Sequence, residues 1–190
     1  MDALNLLKTR TSAPMLTEPA PEGATLDAIL DAALRAPDHG KLRPWRFVLI
    51  RGAAREKFGD VLVETLKARE PGVSDAVLQK EREKPLRAPL IITVVATVQK
   101  DHPKIPEIEQ ILAGGAAAEN VMLAANAQGF GAQWKTGAPT YDPKVKAALG
   151  LKATDEIIGF MYLGTSTGPV MPGKPMDRSQ HIVEWTGAAA

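Results

Sequence analysis

The 190-residue chain has no cysteine. That absence excludes disulfides, thiolate metal sites and a cysteine nucleophile together. Aromatic residues are scarce at 5%, and few of them interleave with basic residues, so there is no footprint of nucleic-acid binding. The formal net charge is only +1, which gives no reason to expect nucleic acid or a membrane surface as partner. The longest apolar run, Pro89 to Val98, is too short to span a bilayer and reads as a buried strand. The chain opens Met1-Asp2-Ala3-Leu4, with an acid where an export signal carries basic residues, so a soluble, cytoplasmic protein is expected.

Several familiar catalytic strings fail on context. Gly164-Thr165-Ser166-Thr167-Gly168 matches the G-x-S-x-G of a nucleophile elbow, but Pro169, Pro172 and Pro175 forbid the helix that must follow. Gly129-Phe130-Gly131 begins like a dinucleotide fingerprint, yet it lies between a helix and a strand, the reverse of the required order. His39, His102 and His181 lack ligand spacing, so no metal site is expected. Glu107 and Glu109 diverge on a helix and read as a solvated face rather than a carboxylate pair.

What is present is an ordinary globular composition, 45% apolar and 24% charged, enough for one domain over residues 1–190. Asp2 to Lys8 reads as a short helix. Leu26, Ile29, Leu30, Ala33 and Leu34 form one apolar stripe on a helix capped by Thr25 and ended by Pro37. Trp45 to Arg51 reads as a strand, Ala53 to Arg69 as a helix, and Ser74 to Lys84 as a weaker, charged one. Leu90 to Val95 is apolar on both faces and therefore a central strand. Glu107 to Gln128 is the longest helix, with Gly129 just past its end. Its adjacent Gly114 and Gly115 each cost ~1 kcal/mol relative to alanine, so another backbone, from a packed helix or a dimer mate, is expected close by. Phe130 to Thr136 reads as a strand, Asp142 to Leu149 as a helix, and Ile157 to Leu163 as the last core strand. Residues from about 165 to 190 read as an extended tail with one more extended run, His181 to Trp185, ordered by wrapping over a second subunit. The order predicts an α+β domain with a sheet of about four strands flanked by helices.

Three polar clusters remain. Arg10-Thr11-Ser12 follows the first helix and offers a donor fork and hydroxyls to a phosphate. Arg35 and His39 flank Pro37 in a basic loop that runs to Arg43-Pro44-Trp45. Trp134-Lys135-Thr136-Gly137 places an indole and a cation at a strand end. Taken alone, each cluster is better read as solvated cations or a core aromatic.

Together they fit a family pattern. The chain resembles the FMN-dependent nitroreductase family, and within it the minimal-length bacterial proteins named as NAD(P)H nitroreductases. The resemblance covers nearly the whole chain. It rests on Asp2-Ala3-Leu4 to Arg10-Thr11-Ser12, Arg35-Ala36-Pro37-Asp38-His39 through Arg43-Pro44-Trp45, Pro89 to Ala96, Ala127 to Gly131, and Gly159 to Thr165. It implies a nitroreductase-like fold with a mostly antiparallel sheet and a homodimer that exchanges C-terminal tails and binds FMN where two subunits meet. By similarity, Arg10, Thr11 and Ser12 would bind the phosphate and ribityl end, and Arg35 and His39 would reach the partner's FMN. Trp134, Lys135 and Thr136 would line the flavin. Ala124, Ala125, Asn126, Ala127, Gln128 and Gly129 match the segment assigned to the nicotinamide. Thr11 and Lys135 stand where relatives often have Arg, and Pro14 where larger members carry Lys, which leaves open which cation stabilises the reduced flavin, with Lys135 a candidate.

The activity implied is ping-pong hydride transfer from NAD(P)H through FMN to a nitroaromatic, quinone or similar small acceptor, with no side-chain acid, base or nucleophile as catalytic residue. A non-catalytic flavin-binding or storage protein, and an enzyme that fragments flavin with oxygen, are the alternatives on the same fold.

Overall fold

A computed structural model describes residues 2–168, 173 and 176–187. Among them the order is α1 (Ala3–Thr9), β1 (Leu16–Thr17), α2 (Gly23–Ala33), β2 (Trp45–Arg51), α3 (Ala54–Arg69), α4 (Asp75–Glu83), β3 (Leu90–Ala96), α5 (Glu107–Ala127), β4 (Gly131–Lys135), α6 (Ala138–Tyr141), α7 (Pro143–Ala148) and β5 (Glu156–Ser166). Single 3₁₀ turns lie at His39–Lys41, Lys84–Arg87 and Arg178–Gln180.

The sheet has five strands rather than about four, and every pairing is antiparallel. β3 is central, with β2 on one side and β5 on the other. β4 and the two-residue β1 pair successively along the far edge of β5, at residues 160–164 and 165–166. β1 leaves no pattern in the sequence because two residues are too few for an alternation to register.

All of β3 is buried because the sheet is covered on both faces. Alternate residues divide between two cores. Leu90, Ile92 and Val94 meet Met161, Leu163 and the inward faces of α2 and α5. Ile91 and Val95 meet Phe58, Leu62 and Val145 from α3 and α7, together with Phe160 and Tyr162. Each large side chain so buried contributes roughly 1.5–3 kcal/mol.

α5 fits against the sheet because its inner face is small. A Cβ on Gly114 would lie 2.9 Å from Ile158 and 3.3 Å from Ala96. The close neighbours of Gly114 are thus side chains of this chain's own sheet, and neither a helix backbone nor a dimer mate is needed to explain it. Gly115 is different: nothing lies within 4 Å of the position its Cβ would take. Gly129, at φ +84°, is the left-handed residue that ends the helix.

Other expectations are adjusted. α2 begins at Gly23, with Glu22 rather than Thr25 at the cap position, so Thr25 sits inside the first turn. The last helix residue is Ala33, and the stripe residue Leu34 is exposed. α6 fits between Gly137 and Asp142, where the sequence suggested a connection only. His181 to Trp185 is not a strand. Pro169, Pro172 and Pro175, on which the rejection of a nucleophile elbow turned, lie outside the described residues, as do residues 170, 171, 174 and 188–190 of the expected tail.

Candidate functional site

The turn Arg10-Thr11-Ser12 is fixed at both ends. Asp2 caps α1 by accepting from the Leu4 and Asn5 amides, and the Arg10 amide closes the helix onto Leu6 O at 2.9 Å. Three residues on, the Ala13 amide donates to Ala132 O of β4 at 3.0 Å. A Cβ on Gly131 would lie 2.8 Å from Ala13 Cβ and 2.7 Å from Leu16 Cδ2, so the turn rests directly on a glycine of the strand. The Thr11 and Ser12 amides between these anchors have no partner among the described residues. The Thr11 hydroxyl is buried and also unpaired. The other such hydroxyl, that of Thr93, lies inside the sheet core. An unmet buried hydroxyl costs about 1–3 kcal/mol, and amides without a protein partner remain as donors for an anion.

Two basic side chains of the candidate site, Arg10 and His39, are held by one helix. The Arg10 guanidinium lies 3.5 Å from Glu119, and His39 Nδ1 lies 2.5 Å from Glu109 Oε2. Ten residues of helix separate the two glutamates, about 15 Å along α5. Within one chain, then, His39 does not converge on the turn at Arg10. Sequence reasoning missed Glu119 entirely and took Glu109 for a solvated residue. Only tertiary packing reveals the His39–Glu109 pair, whose members are 70 positions apart.

Arg35 converges with the end of α5: it shares an open depression of about 360 Å³ with Leu6, Leu123, Ala124 and Ala127. Asn120 pins the two helices there by donating to Ala32 O at 2.9 Å. The stretch Ala124 to Gly129 does not act as one surface. Ala125 is fully buried in the core, Asn126 donates to Phe130 O, and Gln128 and Gly129 form the helix cap.

Trp134 packs on the core and donates from Nε1 to Ile158 O at 3.2 Å. Gly159 makes that possible, since a Cβ there would lie 2.2 Å from the indole nitrogen. Lys135 and Thr136 line a cavity of about 320 Å³. Phe58, Leu62, Phe160 and Tyr162 give it an apolar and aromatic lining, and Arg69, Glu81, Lys84 and Arg87 a charged one. Burial pushes the Tyr162 phenol up to about 12, partly offset by Arg87, so it stays a neutral donor at ordinary pH. Buried Glu81 is met by Lys84 at 2.5 Å. The cavity's lining comes from four separate segments, and no local pattern announces it.

The arrangement of an anion-ready turn, a strand-end cation and a neighbouring aromatic-walled cavity can be set beside known proteins. The model of the Nitroreductase family matches residues 7–165. The chain belongs to the nitroreductase family. It is 48% identical over 165 residues to the protein named "Putative NAD(P)H nitroreductase YdjA" of Escherichia coli (strain K12), covering 87% of this chain and 88% of that one. It is 38% identical to the "Putative NAD(P)H nitroreductase" of Haemophilus influenzae, over 87% of this chain and 89% of the relative. Among solved structures, the nitroreductase-like family protein from Bacillus cereus superposes with a TM-score of 0.81 at 24% identity, covering 98% of this chain and 97% of that one. A nitroreductase with bound FMN from Bacteroides fragilis gives 0.72 at 21% identity, covering 97% of this chain and 100% of that one. The nitroreductase fold of this chain is therefore the antiparallel sheet and flanking helices described above. Among the described residues no cluster of His, Asp and Glu could hold a metal, and no helix is long and apolar enough to cross a membrane.

Proposed function

We infer that this nitroreductase-family chain is an FMN-dependent oxidoreductase that takes NAD(P)H as donor. The observation that carries the reading is the Arg10–Ser12 turn: a guanidinium, two free amides and an unpaired buried hydroxyl gathered where the family resemblance expects a phosphate. These residues fit the phosphate of FMN, which supplies the acceptors that the turn lacks. When bound, FMN supplies two-electron chemistry, taking a hydride equivalent from NAD(P)H and passing it, in ping-pong order, to a nitroaromatic, quinone or similar acceptor.

The protein's own part is binding and electrostatics. Arg10 and Ser12 would hold the phosphate, while Trp134 and Thr136 border the ring. Lys135 keeps a positive charge on the cavity wall, where it would favour negative charge developing on a bound ring. Arg35 and His39 would serve the site of a second copy, which accounts for His39 lying about 15 Å along α5 from Arg10's partner. A homodimer also covers apolar surface left bare in one chain. Leu4 and Leu7 on α1 are 63% and 56% exposed, and Ile108 and Leu112, one turn apart on α5, are 58% and 64% exposed.

The test is an anaerobic absorbance spectrum before and after NADH and NADPH. A flavin spectrum that bleaches with donor and recovers with a nitroaromatic or quinone is expected. A colourless protein that ignores added FMN refutes the reading.

A further inference from the structure

Between the end of α2 and the start of β2 lies an open groove of about 470 Å³. Three cations line it: Arg35, Lys41 and Arg43. None is in an ion pair among the described residues, although seven other pairs are formed. The groove's carboxylate, Asp38, accepts from the Arg43 amide at 2.7 Å. Leu34 and the half-buried indole of Trp45 supply apolar walls.

The backbone carrying these cations is strained. Lys41 and Arg43 sit at φ 56° and 50°, a region that costs an L-residue roughly 1–2 kcal/mol. Three unpaired like charges on one groove also repel one another. A multiply charged anion relieves that repulsion, and a flat ring beside it finds the indole. Fork and ammonium donors match a phosphomonoester, and an aromatic base stacks on tryptophan for ~1–3 kcal/mol. Arg35 lines the Ala124–Ala127 depression as well, so the groove and that depression adjoin.

We propose that Lys41 and Arg43 of this groove take the 2′-phosphoadenosine end of NADPH, beside the Arg35 that would serve a second copy's FMN, so that this chain uses NADPH in preference to NADH. The proposal rests on the reading that the chain oxidises a nicotinamide donor, and it names which one. Arg35 would stand between the phosphate and the depression, and Trp45 under the adenine.

The experiment titrates the purified full-length protein calorimetrically with 2′,5′-ADP and with 5′-AMP, which differ in the 2′-phosphate. At least tenfold tighter binding of 2′,5′-ADP is expected, weakening as salt is added. Lys41→Asn combined with Arg43→Asn should abolish the difference without loss of bound FMN, because asparagine tolerates the left-handed backbone. Lys41→Arg with Arg43→Lys should retain it. Equal affinity for the two nucleotides, or binding of neither, overturns the proposal. Loss of flavin in step with 2′,5′-ADP binding also overturns it, since the groove would then hold the cofactor's own phosphate. Initial rates separate the two readings. Equal use of NADPH and NADH defeats the donor preference alone. Oxidation of neither donor defeats the proposed oxidoreductase function, while the calorimetric comparison still decides the groove.

Discussion

The turn at Arg10–Ser12 and the loop at Arg35–Arg43 both present cations, but they are built in opposite ways. The turn has unstrained backbone and unmet polar groups: two amides and a buried hydroxyl lack partners. The loop has strained backbone, with Gly40, Lys41 and Arg43 all at positive φ and Asp38 already committed to the Arg43 amide. In the turn, the binding capacity lies in the main chain and is fixed by packing on β4. In the loop, it lies in long side chains held out by left-handed residues on either side of Leu42. The first suits a resident group that stays bound; the second suits a ligand that comes and goes.

The sharpest way to break that contrast is to push the turn off its strand. Gly131→Ala would set a methyl 2.7 Å from Leu16 and 2.8 Å from Ala13. Overpacking of this kind is expected to cost about 2–3 kcal/mol in chemical denaturation, and the variant should also lose FMN. In the loop, Gly40→Ala meets only Ile105 Cδ1 at 3.1 Å but at φ +65°, so about 1 kcal/mol is expected. Equal losses at the two sites would mean that the turn is not anchored as described.

Next in size is Arg10→Ala. Its salt bridge to Glu119 is partly exposed and worth under about 1 kcal/mol, so stability should barely move. FMN affinity should fall at least tenfold, about 1.4 kcal/mol, read as flavin released on dialysis. Unchanged retention would remove the turn from the cofactor site.

How much of this was legible differs between the two regions for a physical reason. β3 and β2 were readable because burial on two faces, or β-branched and aromatic content, writes itself locally. The Arg10–Ser12 cluster was readable because its donors are contiguous. The loop's acceptor, Glu109, and the turn's, Glu119, were not, because α5 returns to each from far along the chain. The cavity at Lys135 was hidden for the same reason: Phe58, Arg87 and Tyr162 meet only after folding. Positive φ at Lys41 and Arg43 leaves no trace in residue type, since neither residue favours that conformation.

Asp38→Ala ranks third. It removes the carboxylate that accepts from the Arg43 amide at 2.7 Å, a charge-assisted bond worth about 1–2 kcal/mol at a part-exposed site. Thermal melting should show that loss. Selective loss of 2′,5′-ADP binding should accompany it, because the strained Lys41 and Arg43 would relax. Retained nucleotide binding would show that the cations do not need the loop's present shape.

The smallest effect on stability is expected from Lys41→Gly. Glycine relieves the left-handed strain at φ 56°, a gain of about 1 kcal/mol, but adds unfolded-state freedom worth about 0.5–1 kcal/mol. The melting temperature should therefore stay nearly constant or rise slightly. Affinity for 2′,5′-ADP should nevertheless fall several-fold, since one of three groove cations is gone. A position where the native residue is no better for folding than glycine, yet matters for an anionic nucleotide, is one where the side chain is kept for binding. If Lys41→Gly instead destabilised the fold and left nucleotide affinity intact, the loop would be a structural connector, and the contrast with the turn would collapse.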